Sequence, residues 1–206
     1  MNRMIIGLGT GRCGTMSLTR LLGAQAACVS LHEPKPLLPW ITDPVAARRH
    51  VRKLSQQPKR VVASTACFYL PYVEWLHTSV GCPITFVCLK RTRQQTIDSF
   101  VQWTEVRVPP KRDHWRRHDG TKFTHTEWDK CFPQYDEPSK RRALGRYWDD
   151  YYDRAETLAD RKLNFRIFPM NMLNHEGGVK EILEFCGFEE PRIRVGVRAH
   201  HKPEQA

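Results

Sequence analysis

Apolar positions along the chain come in short runs separated by amphipathic stretches. MIIGL (4–8), ACVSL (27–31), RVVAST (60–65), ITFVCLK (84–90) and NFRIFPM (164–170) have strand length and are rich in β-branched and aromatic residues. After the first run, Leu18, Leu21 and Leu22 recur at helical spacing, and helical patterns also cover 44–57, 72–80, 93–103, 139–160 and 179–188. Strands alternating with helices predict an α/β fold with three layers, a mainly parallel central sheet and helices on both faces. In the 139–160 helix, Tyr147, Tyr151 and Leu158 share a face, which reads as core packing. Residues 104–137 break the pattern. This stretch is irregular, dense in Pro, Arg, His and Trp, and too long for a plain connection, so it is expected to be a binding segment or a lid.

Between the first strand and its helix lies GTGRCGT (9–15). Amides at a helix N-terminus point outward unpaired, and glycines let a backbone wrap an oxyanion closely. The turn is therefore a phosphate cradle in form, and its spelling meets three patterns. Gly9, Gly11 and Gly14 satisfy G-x-G-x-x-G, and Glu33 lies 19 residues after Gly14, near where a ribose-binding acid belongs in a dinucleotide fold. Gly9 and Gly14 also have the spacing of a nucleoside-triphosphate loop. Thr15 and Met16, however, stand where the lysine and the metal-binding hydroxyl are required. The third spelling places a cation inside the turn, at Arg12, directly before Cys13, Gly14 and Thr15.

Composition adds a field to this cradle. The 206 residues suffice for one sizeable domain spanning 1–206, and the hydrophobic share of 40% excludes wholesale disorder. The formal net charge of +11 attracts anions, whether nucleotides, nucleic acid, acidic glycans or a membrane surface. Seven cysteines, an odd number with no C-x-x-C pair, sit largely in apolar runs and point to a reducing compartment. No apolar run approaches the ~20 residues of a membrane span, and the first strand begins too early to leave room for a leader. A cytoplasmic location is expected.

The third spelling resembles the phosphosulfate-binding loop of sulfotransferases, and two further elements extend the resemblance. Arg91 closes the fourth strand and Ser99 follows eight residues later in the next helix, the spacing at which these enzymes hold a 3′-phosphate. Glu33 closes the second strand 21 residues after Arg12, near the place where tyrosylprotein and heparan sulfotransferases carry a glutamate base; His32 is its neighbour. The resemblance covers 5–22, 31–34 and 84–100 well, and 140 onward more softly. It implies a P-loop NTPase-like sulfotransferase fold. The donor would be 3′-phosphoadenosine 5′-phosphosulfate (PAPS), leaving 3′,5′-adenosine bisphosphate, with no metal required. It assigns Gly11, Arg12, Cys13, Gly14, Thr15, Met16 and Ser17 to the 5′ end of the donor, Arg91 and Ser99 to the 3′-phosphate, and Glu33 or His32 to the base. The acceptor would carry a hydroxyl or an amine, with 104–137 as its lid. The late Arg-Lys-Gly motif of many cytosolic members is absent, and Arg198 or Lys202 in the basic tail could substitute for it.

Other constellations carry less. His114, His118, His125 and Cys131 match no zinc spacing. HWRRH (114–118) suits nucleic acid, but no helix-turn-helix, zinc-finger or RNA-binding signature accompanies it. Cys13, in a cationic turn, could ionise easily or simply fill a tight loop. A dinucleotide-dependent oxidoreductase and a non-catalytic nucleic-acid module remain as alternatives. Since strand ends in an open parallel sheet deliver ligand contacts to one crevice, the loop, Glu33 and Arg91 are expected to converge.

Overall fold

A computed structural model describes residues 3–107, 113–117, 126–161 and 163–196. Its core is a five-stranded parallel sheet. The strands are β1 (Arg3–Leu8), β2 (Cys28–His32), β3 (Val61–Thr65), β4 (Ile84–Lys90) and β5 (Phe165–Pro169), in the order β2-β3-β1-β4-β5. The helices between them are α1 (Thr15–Gly23), α2 (Pro44–Ser55), α3 (Val73–Ser79), α4 (Arg93–Gln102), the single turn α5 (Thr126–Asp129), α6 (Lys140–Ala159) and α7 (Glu176–Phe185).

Alternation along the central strands sorts the core into two layers. Met4, Ile6, Val62, Phe86 and Cys88 meet α2, α3, α4 and α6 on one face. Ile5, Ala63, Val87 and Leu89 meet Leu18, Leu21, Leu22 of α1 and Val179, Ile182, Leu183 of α7 on the other. The expected three-layer α/β architecture is therefore present, and its five strands lie within one residue of the runs read from the sequence.

Local chemistry fixes the helix ends. Asp43 caps α2 by accepting from the Val45 and Ala46 amides at 2.9 and 3.0 Å, with Pro44 in the first turn. Ser139 caps α6. The last helix starts three residues earlier than its apolar periodicity suggests, because the His175 Nδ1 accepts from the Gly178 amide and caps it there. It also ends earlier, at Phe185, and Gly187 with φ 74° then redirects the chain. Much of 104–137 has little regular structure where described: a π turn at Trp103–Arg107, the α5 turn and one isolated bridge between Arg116 and Tyr135.

The strand order bears directly on the competing loop readings. A dinucleotide fold runs 3-2-1-4-5, so the acid after β2 sits beside the β1 loop. Here β3 lies between β1 and β2, and Glu33 follows an edge strand. The G-x-G-x-x-G match is thus not set in dinucleotide topology. Register still aligns the strand ends, with Gly7 and His32 each opposite Thr65, and Leu8 opposite Cys88.

Candidate active site

Outside the carboxyl ends of β1 to β4 lies a cavity of about 670 Å³. The β1 loop forms its floor. Gly9 takes φ 147°, and a Cβ there would run into the Cys13 sulfur and stand 2.8 Å from the Leu89 carbonyl, so only glycine fits. Gly14, at φ 94°, is the residue from which α1 starts, and no side chain caps that helix. Its first-turn amides therefore lack the side-chain acceptor that caps most helices. Between the two glycines Arg12 is also left-handed, at φ 55°, a conformation that non-glycine residues adopt at a cost.

Gly11, Arg12, Gly14, Thr15, Met16, Ser17, His32, Glu33 and Arg91 all line this one cavity. Arg12 and Arg91 are bound to each other's surroundings: the Arg91 Nη1 donates to the Arg12 carbonyl at 2.9 Å. Ser99 is placed differently from the expectation. It is not part of the cavity lining, and its hydroxyl accepts from the Arg12 Nε at 3.2 Å. Cys13 also faces away. Its side chain is fully buried beneath the loop, and burial pushes the thiol up to about 11. The cationic turn therefore does not make it ionise easily, because loss of solvent outweighs the nearby amides. Arg198 and Lys202 lie outside the described residues, as do His118 and His125. Among the described residues no group of three or more His, Cys, Asp or Glu is placed to hold a metal ion, and His114 instead pairs with Asp129 at 2.6 Å.

Strand alternation leads one to expect that only His32 or Glu33 would face the cavity, yet both do. The reason is the backbone. Glu33 stands one residue past β2 with φ 47°, its amide held by the Thr65 carbonyl at 2.9 Å, so alternation no longer applies. His32 Nε2 lies 3.2 Å from the Thr15 hydroxyl, and its Nδ1 lies 3.6 Å from the Glu33 carboxylate. Burial raises the Glu33 carboxyl from its ordinary 4.5 to about 7, and the charge of Arg12 offsets only part of this.

Helix α6 fixes the whole arrangement from behind. Tyr151 accepts from the Gly9 amide at 2.9 Å and donates to the Cys67 carbonyl at 3.3 Å. Tyr147 donates to the Thr10 carbonyl at 3.1 Å, Tyr152 to Leu89 at 2.7 Å, and the Trp148 indole to the Arg91 carbonyl at 3.0 Å. One helix face thus ties the β1 loop and the Arg91 strand end together. Core packing describes only half of what these tyrosines do. Their hydroxyls, buried with the rings, had to find partners, and that requirement is the signal in the sequence.

The rest of the wall falls partly in the stretch 104–137 read as a binding segment, which contributes Trp115, Trp128 and Phe132. Phe100 and Trp103, from α4 and the π turn, were not foreseen. With His114 added to that wall, Cys67, two residues past β3, and Met170, directly after β5, complete the lining. Both follow from the strand-end rule that located Glu33 and Arg91.

No model of a protein family matches the sequence, and no curated protein matches it at a significant level. Among solved structures the chain is similar to the sulfotransferase domain from the curacin biosynthetic pathway, with a TM-score of 0.57 and 11% identity over 91% of this chain and 74% of that one. At that identity the likeness concerns architecture: the parallel five-stranded sheet and its surrounding helices form a sulfotransferase-like α/β fold.

Proposed function

We propose that the chain transfers a sulfuryl group from PAPS to an acceptor hydroxyl or amine. The observation that carries this reading is that Arg12, Arg91 and Glu33, three residues from three strand ends, line a single cavity. The donor supplies an activated sulfur whose bond to the bridging phosphate oxygen is ready to break. The loop residues fit such a group, since the uncapped start of α1 and the Arg12 guanidinium offer amides and one cation to an oxyanion. Arg91, held at the neighbouring strand end, serves the second phosphate.

In this reading Glu33 takes the proton of the acceptor as its oxygen or nitrogen bonds to sulfur. A carboxyl near 7 holds a proton reversibly at neutral pH, which suits a general base. His32 has neighbours at both ring nitrogens, and it orients Glu33 and Thr15 rather than competing for the role. Arg12 and the loop amides stabilise the charge that gathers on the departing bisphosphate, and Ser99 keeps Arg12 aimed.

Calorimetry with 3′,5′-adenosine bisphosphate, NAD and ATP tests this. The bisphosphate is expected to bind most tightly. Arg91→Ala is expected to weaken it roughly 10- to 100-fold, the worth of one charge-assisted phosphate contact. Preferential NAD binding would replace the proposal with the dinucleotide reading.

A further inference from the structure

The lining of the cavity divides by chemistry. On the strand-end side stand Arg12, Arg91, His32 and Glu33. The opposite wall is aromatic: Phe100, Trp103, Trp115, Trp128 and Phe132. Its rings brace one another. Phe100 meets Trp115 edge-on with centroids 4.7 Å apart, Trp115 meets Phe132 at 4.9 Å, and Trp128 stacks beside Phe132 at 6.2 Å. Trp115, Phe100 and Phe132 are nearly or wholly buried, while Trp103, with Arg12 over one face, and Trp128 are only partly buried. The polar side chain within the wall, His114, is already tied to Asp129 and stacks on Phe132 at 5.7 Å. Arg12 reaches this wall at one end, its guanidinium carbon 5.9 Å from the Trp103 ring centroid, and its Nε donates to Ser99.

We propose that the acceptor is an uncharged aromatic alcohol, its ring held by the aromatic wall and its hydroxyl presented to Glu33. The inference rests on the sulfuryl-transfer reading and narrows it. A planar ring gains by covering what Trp103 and Trp128 leave exposed and by edge or offset contacts with the buried rings. A polyhydroxylated sugar would leave several hydroxyls against carbon, and each unmatched one lowers affinity roughly tenfold or more. A carboxylate or sulfate on the acceptor would be desolvated where it lay against the Trp115, Trp128 and Phe132 rings, beyond the Arg12 end of the wall.

Three of the six tryptophans line the cavity, so intrinsic fluorescence reports its occupancy directly. The experiment titrates the full chain with 2-naphthol, 2-naphthoate and N-acetylglucosamine, each with and without 3′,5′-adenosine bisphosphate. Saturable quenching by 2-naphthol is expected, with the other two at least tenfold weaker. Trp128→Ala is expected to weaken 2-naphthol at least fivefold while bisphosphate affinity changes less than twofold, and Trp128→Phe to recover most of the loss. Phe132→Leu provides a second variant should Trp128→Ala unfold. The sugar or the naphthoate binding as tightly as 2-naphthol overturns the inference, as does an unchanged 2-naphthol affinity in a folded Trp128 or Phe132 variant. Naphthol binding without bisphosphate binding would instead overturn the donor reading and leave the aromatic subsite standing.

Discussion

Replacing Glu33 by glutamine should abolish turnover and yet make the folded chain more stable above neutral pH. The carboxyl titrates at about 7 in the folded chain against 4.5 ordinarily, because it is desolvated beyond what Arg12 restores. Between those two values the folded state holds a proton that the unfolded state has released, so stability falls as pH rises through that window and stays low above it. The shift corresponds to an upper bound of roughly 3 kcal/mol. Since the side chain is 27% exposed, about 1–3 kcal/mol is a fairer figure. Glutamine keeps the shape and cannot ionise. At pH 8 Glu33→Gln should therefore melt about 2–12 °C above the parent, given roughly 2–4 °C per kcal/mol for a chain of this size. At pH 4.5 the two should coincide. Differential scanning calorimetry at both pH values reads this, and the parent's own rate should rise between pH 6 and 8 as the carboxyl ionises. A Glu33→Gln chain that melts at or below the parent at pH 8 would refute the claim that the ionised carboxylate is held there at a cost.

Two further expectations are independent of turnover. Tyr151→Phe strands the buried Gly9 amide, and should cost about 1–3 kcal/mol, or roughly 2–12 °C in melting temperature; an unchanged melt would mean the loop finds another partner. Cys13 should resist iodoacetamide at pH 8 in the native chain and react only on unfolding, while the partly exposed Cys82 reacts first; peptide mass spectrometry after timed alkylation distinguishes the two.

The parts of the site carried by local grammar were legible in the sequence. A strand, a glycine turn and a helix start occupy consecutive residues, so 4–22 announces its own conformation, and strand ends give Glu33 and Arg91 by the same rule. What escaped was non-local or side-chain specific. Trp103, Trp115 and Trp128 meet around one cavity although they are far apart in sequence, which no periodicity encodes. Ser99 at the expected spacing faces Arg12 rather than the cavity, because spacing fixes a helix position but not which neighbour a hydroxyl chooses. His32 and Glu33 share the cavity because one backbone dihedral departs from the strand pattern, and sequence alone does not register that departure. Strand order, which separates this loop from a dinucleotide loop of identical spelling, is a property of the assembled sheet.

Tyr147 stands between two neighbourhoods. Its hydroxyl grips Thr10, while its ring lies 5.6 Å from Phe132 and 6.4 Å from Trp115. One phenol thus stands between the β1 turn and the aromatic rings, bonded to the first and packed against the second, so a single side chain fixes their spacing.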